Sequence, residues 1–413
     1  MKPIIALDIG NQNIKVLAGQ STKDFKIKIN AVLERPSDGI NKGSINDYGA
    51  FVNTLFETFE DLGKLGVSGK NVIVNIASPH STFKITRTFG GVSRGDGEIT
   101  ANDINQLHEK IKDSQTETSN KTILHIIPRN FTVDDLTNIK DPIGMHGYRL
   151  EMEAAIIETL NPHIKTLEKG FGEIKKNIID KVFSPLAAAY SCLSKKQMNV
   201  GSMIVDLGAE NTTFAIFEDD KLIESGVLNL GANSITHDIA ICLKIPLEVA
   251  EKIKITFGYA LSNDVNRKEN INLSKITKEI DYEINKKYLS EIIEARLEDI
   301  FNLLNNEIKK TNSFNKLAAG VVLVGGGSKL PGMVDFTKKY LKLPAKIGYP
   351  INLEYDKETN EKFIDLIDDP SFAVVSGLLC WGLNNTIVSK KISLPEKSPI
   401  LQKLKKFIKI FLP

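Results

Sequence analysis

The sequence predicts an α/β protein of two lobes facing one cleft, with an inserted α+β subdomain in the first lobe and a C-terminal amphipathic helix. Three observations carry that reading. A strand-turn-strand unit opens the chain: residues 4–7 run into Asp8-Ile9-Gly10, and an apolar strand resumes at 14–18. The same unit returns about 200 residues later, where residues 203–205 run into Asp206-Leu207-Gly208 and resume at 212–217. Such a repeat points to two related halves. Between the halves, residues 84–167 are polar and patterned differently.

Length and composition set the frame. A chain of 413 residues exceeds the size at which single cores stop growing, so two or more domains are expected. The hydrophobic fraction of 42% and charged fraction of 25% exclude global disorder. The three cysteines, Cys192, Cys242 and Cys380, lie far apart and form no CxxC or Cys/His ligand spacing. Reduced core thiols in a cytoplasm fit that pattern; a disulfide scaffold or zinc module does not. The N-terminus reaches Asp8 too soon for a signal peptide. No apolar run approaches the ~18–20 residues of a membrane span. Net charge is +2, but residues 384–413 hold seven lysines and one glutamate, which leaves the body at −4. An acidic body argues against nucleic acid as a partner.

The elements follow in order. Residues 26–33 complete a meander with the first two strands, 47–62 form a helix with Phe51, Leu55, Phe59 and Leu62 at helical spacing, and 71–77 form a further strand. The insertion carries a Gly-rich stretch at 90–97, a helix after Thr100, and strands at 122–127 and 148–157. Helices dominate 232–310, and the strand at 320–324 ends in Gly325-Gly326-Gly327-Ser328. The expected organisation is therefore a first-lobe core at 1–83 and 168–196 around the insertion at 84–167. A second-lobe core at 197–228 and 318–370 surrounds a helical subdomain at 229–317. The chain returns to the first lobe at 371–383, and a linker at 384–399 leads to the terminal helix at 400–413.

Three loops carry the chemistry. In the first, Gly10, Asn11, Gln12 and Asn13 make a tight turn whose backbone N–H groups suit an anion. Lys15 reaches a phosphate from the returning strand, and Asp8 suits Mg²⁺ held through water. The second loop supplies Asp206, Gly208, Asn211 and Thr212, and its carboxylate is a second candidate for placing Mg²⁺ or polarising a water. The third, Gly326, Gly327 and Ser328, follows a strand and suits the ribose and phosphates of a nucleotide. Any one of these, taken alone, reads more readily as an ordinary β-hairpin or turn. Three in this order, each after an apolar strand, form a much stronger signal.

That order resembles the actin, Hsp70 and sugar-kinase superfamily. Within it, residues 3–383 resemble the FtsA family of bacterial cell-division proteins. The most specific stretches are Ile123-Leu124-His125-Ile126-Ile127-Pro128 with Asp141-Pro142-Ile143-Gly144-Met145, residues 238–258, residues 325–332, and Asp369-Pro370-Ser371-Phe372-Ala373. The resemblance implies an actin-like ATPase fold that binds ATP and Mg²⁺ between its lobes. It places Asp8, Lys15 and Asp206 at the phosphates and metal, and Glu251 and Lys254 beside ribose and adenine. It implies that the insertion mediates self-association into filaments and contacts with other division proteins. It also implies a scaffold at the division site, peripheral on the cytoplasmic face of the membrane, that binds the C-terminal peptide of the tubulin-like protein FtsZ. Arg296 and Asn302, in the helical subdomain, are the candidates for gripping that acidic peptide. No catalytic residue is assigned. The family usually has small residues, often Gly-Gly-Thr, where this chain has Ala209-Glu210-Asn211. A carboxylate ~4 Å from a phosphate costs about 4 kcal/mol at an effective dielectric of ~20. Slow or absent turnover is the expectation.

The tail has its own pattern. Ile400, Leu401, Leu404, Phe407, Ile408, Phe411 and Leu412 fall on one helical face, with Lys405, Lys406 and Lys409 opposite and Lys403 on a flank. A terminal helix with lysine as its only charge suits anionic membrane lipids, each lysine contributing about 1 kcal/mol. Docking on the chain's own body fits the same pattern, and the family resemblance favours the membrane. Two other functions share the fold. A sugar-kinase-like phosphotransferase needs an acceptor base that no motif supplies. A pilus-assembly homologue accounts for neither the 141–145 stretch nor the tail.

Overall fold

The computed structural model describes residues 3–22, 26–116, 120–275, 283–311, 316–351, 353–356 and 358–391. The residues expected to form a membrane-binding helix, Ile400 to Leu412, lie outside them.

The first lobe is built on β1 (Ile4–Ile9), β2 (Asn13–Ser21) and β3 (Ile27–Pro36), an antiparallel meander. A short hairpin, β4 (Ile40–Asn41) and β5 (Ser44–Ile45), leads to α1 (Tyr48–Lys64). Asp47 caps α1 by accepting from the Ala50 N–H, and the helix buries Phe51, Leu55 and Leu62, as its spacing demands. β6 (Asn71–Ile76) joins β1 in parallel.

The insertion is a four-stranded antiparallel sheet. It comprises β7 (Thr82–Gly91), β8 (Lys121–Val133), β9 (Leu136–Ile139) and β10 (Arg149–Leu160), in the order β7-β10-β8-β9. One helix, α2 (Ala101–Thr116), packs on it through Leu107 and Ile111, over Phe131, Met152 and Ile156. The chain then returns through α3 (Asn161–Glu173) and β11 (Asn177–Phe183), which completes the first sheet in the order β11-β6-β1-β2-β3.

Two helices, α4 (Ser184–Cys192) and α5 (Lys195–Val200), lead to the second lobe. Its sheet holds β12 (Ser202–Leu207), β13 (Thr212–Glu218) and β14 (Lys221–Leu228). The helical subdomain contains α6 (Ala232–Leu243) and α7 (Leu247–Phe257). A small hairpin follows, β15 (Asn270–Asn272) and β16 (Glu283–Asn285), and then the 25-residue α8 (Lys286–Lys310). β17 (Val321–Val324), α9 (Met333–Leu341) and β18 (Ala345–Ile347) complete the sheet in the order β14-β13-β12-β17-β18. Strand for strand this repeats the first sheet. Each has an antiparallel meander followed by two parallel strands on the side of its first strand.

After α10 (Glu361–Ile367), the last helix, α11 (Ala373–Lys391), runs back between the lobes. One apolar core joins Ala6, Leu17 and Ile73 of the first sheet to Ile204, Ala215 and Val322 of the second through α4 and α11. The two helices touch backbone to backbone: a Cβ on Gly377 would lie 1.8 Å from the Ala187 carbonyl oxygen. The helix also corrects one expectation, because it continues through Lys391 where a linker is expected from Asn384. No proline or glycine interrupts residues 383–394, so nothing in the backbone stops it there. Among the described residues, no helix is long and apolar enough to cross a membrane.

Candidate functional site

The repeated hairpins face each other across the interlobe cleft, which encloses about 440 Å³. In both, a glycine N–H closes the turn onto an asparagine carbonyl: Gly10 to Asn13 at 3.1 Å and Gly208 to Asn211 at 3.0 Å. Register then places Asp8 opposite Lys15 on β2, and Asp206 opposite Thr213 on β13. The pseudo-repeat thus supplies matched carboxylates, one from each lobe, with a lysine on one side and a threonine on the other.

The carboxylates are held differently. Asp8 accepts from Asn75 Nδ2 at 2.8 Å, and Asn75 Oδ1 accepts the Ile9 N–H at 2.7 Å. Asn75 Nδ2 also lies 3.1 Å from Ser184 Oγ at the start of α4. Loss of water pushes the Asp8 carboxyl up to about 6, against the pull of Lys15. It pushes Asp206 up to about 7, with the neighbouring Asp8 charge adding to the effect. Gly325 lets the third loop approach: its φ is +83°, and a Cβ there would sit 2.1 Å from Asp206 Oδ1.

At the other end, Lys254 and Glu251 of α7 form an ion pair of 2.6 Å. Lys254 also donates to Thr236 Oγ1 at 2.7 Å and to the Ala232 carbonyl at 3.2 Å. Burial lowers its ammonium pKa, opposed by Glu251.

Of the residues expected at the nucleotide, the cleft is lined by Asp8, Gly10, Asn11, Gln12, Asn13, Lys15, Asp206, Gly208, Asn211, Glu251, Lys254, Gly326 and Gly327. Thr212 and Ser328 are not on it. The Thr212 hydroxyl is spent on the Leu230 carbonyl (2.7 Å) and that of Ser328 on the Gly325 carbonyl (2.7 Å), both buried behind the loops. Glu210 also departs from expectation. Its carboxylate turns to Asn233 Nδ2 at 2.7 Å beside the start of α6 and is not part of the lining. The close facing of carboxylate and phosphate on which the expected repulsion rests is therefore not the arrangement seen.

Arg296 is occupied as well. Its guanidinium is bidentate to Asp238 (2.6 and 2.9 Å) and reaches Asp299 at 3.1 Å. Asn302 accepts from the Tyr340 hydroxyl. The Arg296 guanidinium is thus committed within the subdomain, against the peptide-gripping role expected of it, while Asn302 is exposed and engages only its Oδ1 in that bond.

Sequence reasoning missed Asn75, Glu34, Thr213 and Ala77, which the fold brings to the cleft. Asn75 left one signal, a lone amide inside the apolar strand Val72-Ile73-Val74-Asn75-Ile76. The others gave none, because only sheet register and lobe packing place them. Asn211 Nδ2 reaches across the cleft to the Ala77 carbonyl at 3.1 Å, tying the second loop to the first lobe.

The residues fit a nucleotide with a divalent cation. Thr213 Oγ1 and Asn211 Oδ1 are buried on the cleft wall without a hydrogen-bond partner among the described residues. A Cβ on Gly326 would meet open space, so the third loop leaves room against the wall. Among the described residues no group of three or more metal-ligating side chains exists. A cation here would be held by Asp8 and Asp206 together with water and phosphate oxygens, as Mg²⁺ prefers.

Comparison with known proteins gives the family. The model for "Cell division protein FtsA" matches residues 203–377, and that for "SHS2 domain inserted in FTSA" matches residues 81–158. The cell division protein FtsA of Buchnera aphidicola subsp. Baizongia pistaciae is 31% identical, across 92% of this chain and 91% of that protein. Among solved structures, the PilM-PilN type IV pilus biogenesis complex superposes with a TM-score of 0.65 at 15% identity, covering 92% of this chain and 98% of that one. MreB5 of Spiroplasma citri bound to ADP gives 0.57 at 14%, covering 96% and 99%. At those identities the structures speak for the fold alone, and it is the actin-like one.

Proposed function

The chain belongs to the FtsA family of cell-division proteins, and from that premise we propose that it binds Mg·ATP between its lobes as a membrane-tethered scaffold for FtsZ. The observation that carries the nucleotide reading is the pair of matched hairpins delivering Asp8 and Asp206 to one cleft. In that reading the N–H groups of the two turns bind phosphate oxygens, and Lys15 offsets their charge. Asp8 and Asp206 orient the hydrated cation, which supplies charge neutralisation when bound. Thr213 offers a hydroxyl to phosphate or water, and the Glu251–Lys254 pair borders the base and ribose. Membership of a cell-division family supports a cleft that serves assembly more than group transfer.

The scaffold reading rests on the family and on the sequence of the tail. The helix at 400–413 tethers the body to anionic lipid on the cytoplasmic face of the membrane at the division site. The helical subdomain receives the FtsZ C-terminal peptide, and the insertion mediates filament formation and contacts with other division proteins. Since Arg296 is engaged within the subdomain, its part in peptide recognition requires exchange of the Asp238 contact, whereas Asn302 is exposed.

Co-sedimentation with vesicles containing anionic lipid tests the tether. The full chain should pellet and a chain ending at Lys391 should stay in solution; equal pelleting would refute the role of the tail. Nucleotide binding is tested by titrating the full chain with Mg·ATP, and saturable binding at one site per chain is expected.

A further inference from the structure

Three lysines line the cleft among the described residues, and two of them are already neutralised. Lys254 pairs with Glu251 and Lys329 with Asp369, each at 2.6 Å. Lys15 is the cation left for phosphate, yet Glu34 of β3 sits 3.6 Å from its ammonium. The same carboxylate, through Oε1, accepts from Asn13 Nδ2 at 2.7 Å. Glu34 therefore holds two of the groups that the first loop would offer an anion, and it is itself part of the cleft wall. Its side chain is 42% exposed, against 13% for Lys15, so it has water to swing into while the lysine does not.

We propose that Glu34 is a displaceable counter-ion for the first phosphate loop, a positioning residue that Lys15 and Asn13 must release before phosphate binds. The inference rests on the nucleotide reading above and deepens it. Without nucleotide, the glutamate keeps the lysine extended towards the cleft, which already carries the Asp8 and Asp206 carboxyls. An incoming phosphate competes for the same ammonium, and two anions close to one cation repel each other. Nucleotide affinity is thereby set below what the hairpins alone would give, which suits a site that must exchange its ligand.

The test uses the full chain and its variants, titrated by calorimetry with Mg·ATP and, separately, with adenosine, which has no phosphate. Glu34→Gln keeps the acceptor for Asn13 and removes the charge. It should bind Mg·ATP at least tenfold more tightly and adenosine within about twofold of wild type. Glu34→Asp, which keeps the charge, should stay within about threefold of wild type for both ligands. Equal or weaker Mg·ATP binding by a Glu34→Gln protein with wild-type circular dichroism would overturn the proposal while leaving the nucleotide reading intact. An equal gain for adenosine would overturn it as well, because the effect would then not act through phosphate. If neither wild type nor Glu34→Gln binds ATP, the nucleotide reading itself fails and takes this inference with it.

Discussion

Asn75→Ala should cost more than any other single polar truncation at the cleft. The side chain is 5% exposed and joins three elements: it accepts from Ile9 of β1, donates to Asp8, and lies within bonding distance of Ser184 on α4. Truncation strands a backbone N–H and removes a donor from a half-buried carboxyl. Each unsatisfied group costs about 1–3 kcal/mol, so the loss from the two is about 2–6 kcal/mol, a large share of the ~5–15 kcal/mol typical of a domain. Urea unfolding measured by fluorescence of Trp381, the only tryptophan, reads the effect in the first lobe. Trp381 is well placed for this, packed edge-on to His125 at 5.4 Å and Tyr190 at 6.1 Å. The midpoint should fall with the slope unchanged, since the same surface unfolds. A loss below about 0.5 kcal/mol would refute the role given to Asn75.

Other outcomes follow from the same geometry. Gly325→Ala places a Cβ against Asp206 at a φ of +83°, so it should lose at least ~1–2 kcal/mol of stability from the backbone alone, read by the same unfolding assay. Glu210→Gly removes only the bond to Asn233, and Mg·ATP affinity should stay within about threefold of wild type by calorimetry. His125 is buried and neutral, its Nε2 accepting the Phe183 N–H at 2.9 Å, and burial lowers it to about 4. Because the folded value lies below the unfolded 6.5, its stabilising contribution is complete above pH 6.5 and is lost as pH falls towards 4, on the order of 3 kcal/mol in all. Urea midpoints across that window should fall less steeply for His125→Gln than for wild type.

The repeat of strand, Asp and turn was legible because it is local. Apolar runs of four and three residues ending in Asp8 and Asp206 are visible in any reading of the chain, and both hairpins formed where the turn residues stand. The α1 helix was legible for the same reason, with its apolar spacing and Asp47 cap. The insertion was only partly visible. β7 alternates Phe83, Ile85 and Phe89 with polar residues, a two-residue period that its high polarity masked, and it pairs with β10 some sixty residues later. What stayed hidden depends on register between distant segments. Glu34 meets Lys15 only because β3 pairs with β2 in that alignment, and Arg296 meets Asp238 only because α8 packs on α6. Glu210 shows the same limit from the other direction. Its position in the loop was readable, but the direction of its side chain is set by Asn233 on the following helix.

The central claim is that both hairpins grip one nucleotide. Calorimetric titration of wild type, Asp8→Asn, Asp206→Asn and the double variant with Mg·ATP tests it most directly. The account predicts one site per chain, a loss of at least tenfold for each single variant, and a double variant whose loss differs from the sum of the two because they share one ligand. A wild type that binds no nucleotide would contradict it, as would undiminished affinity after substitution in either hairpin.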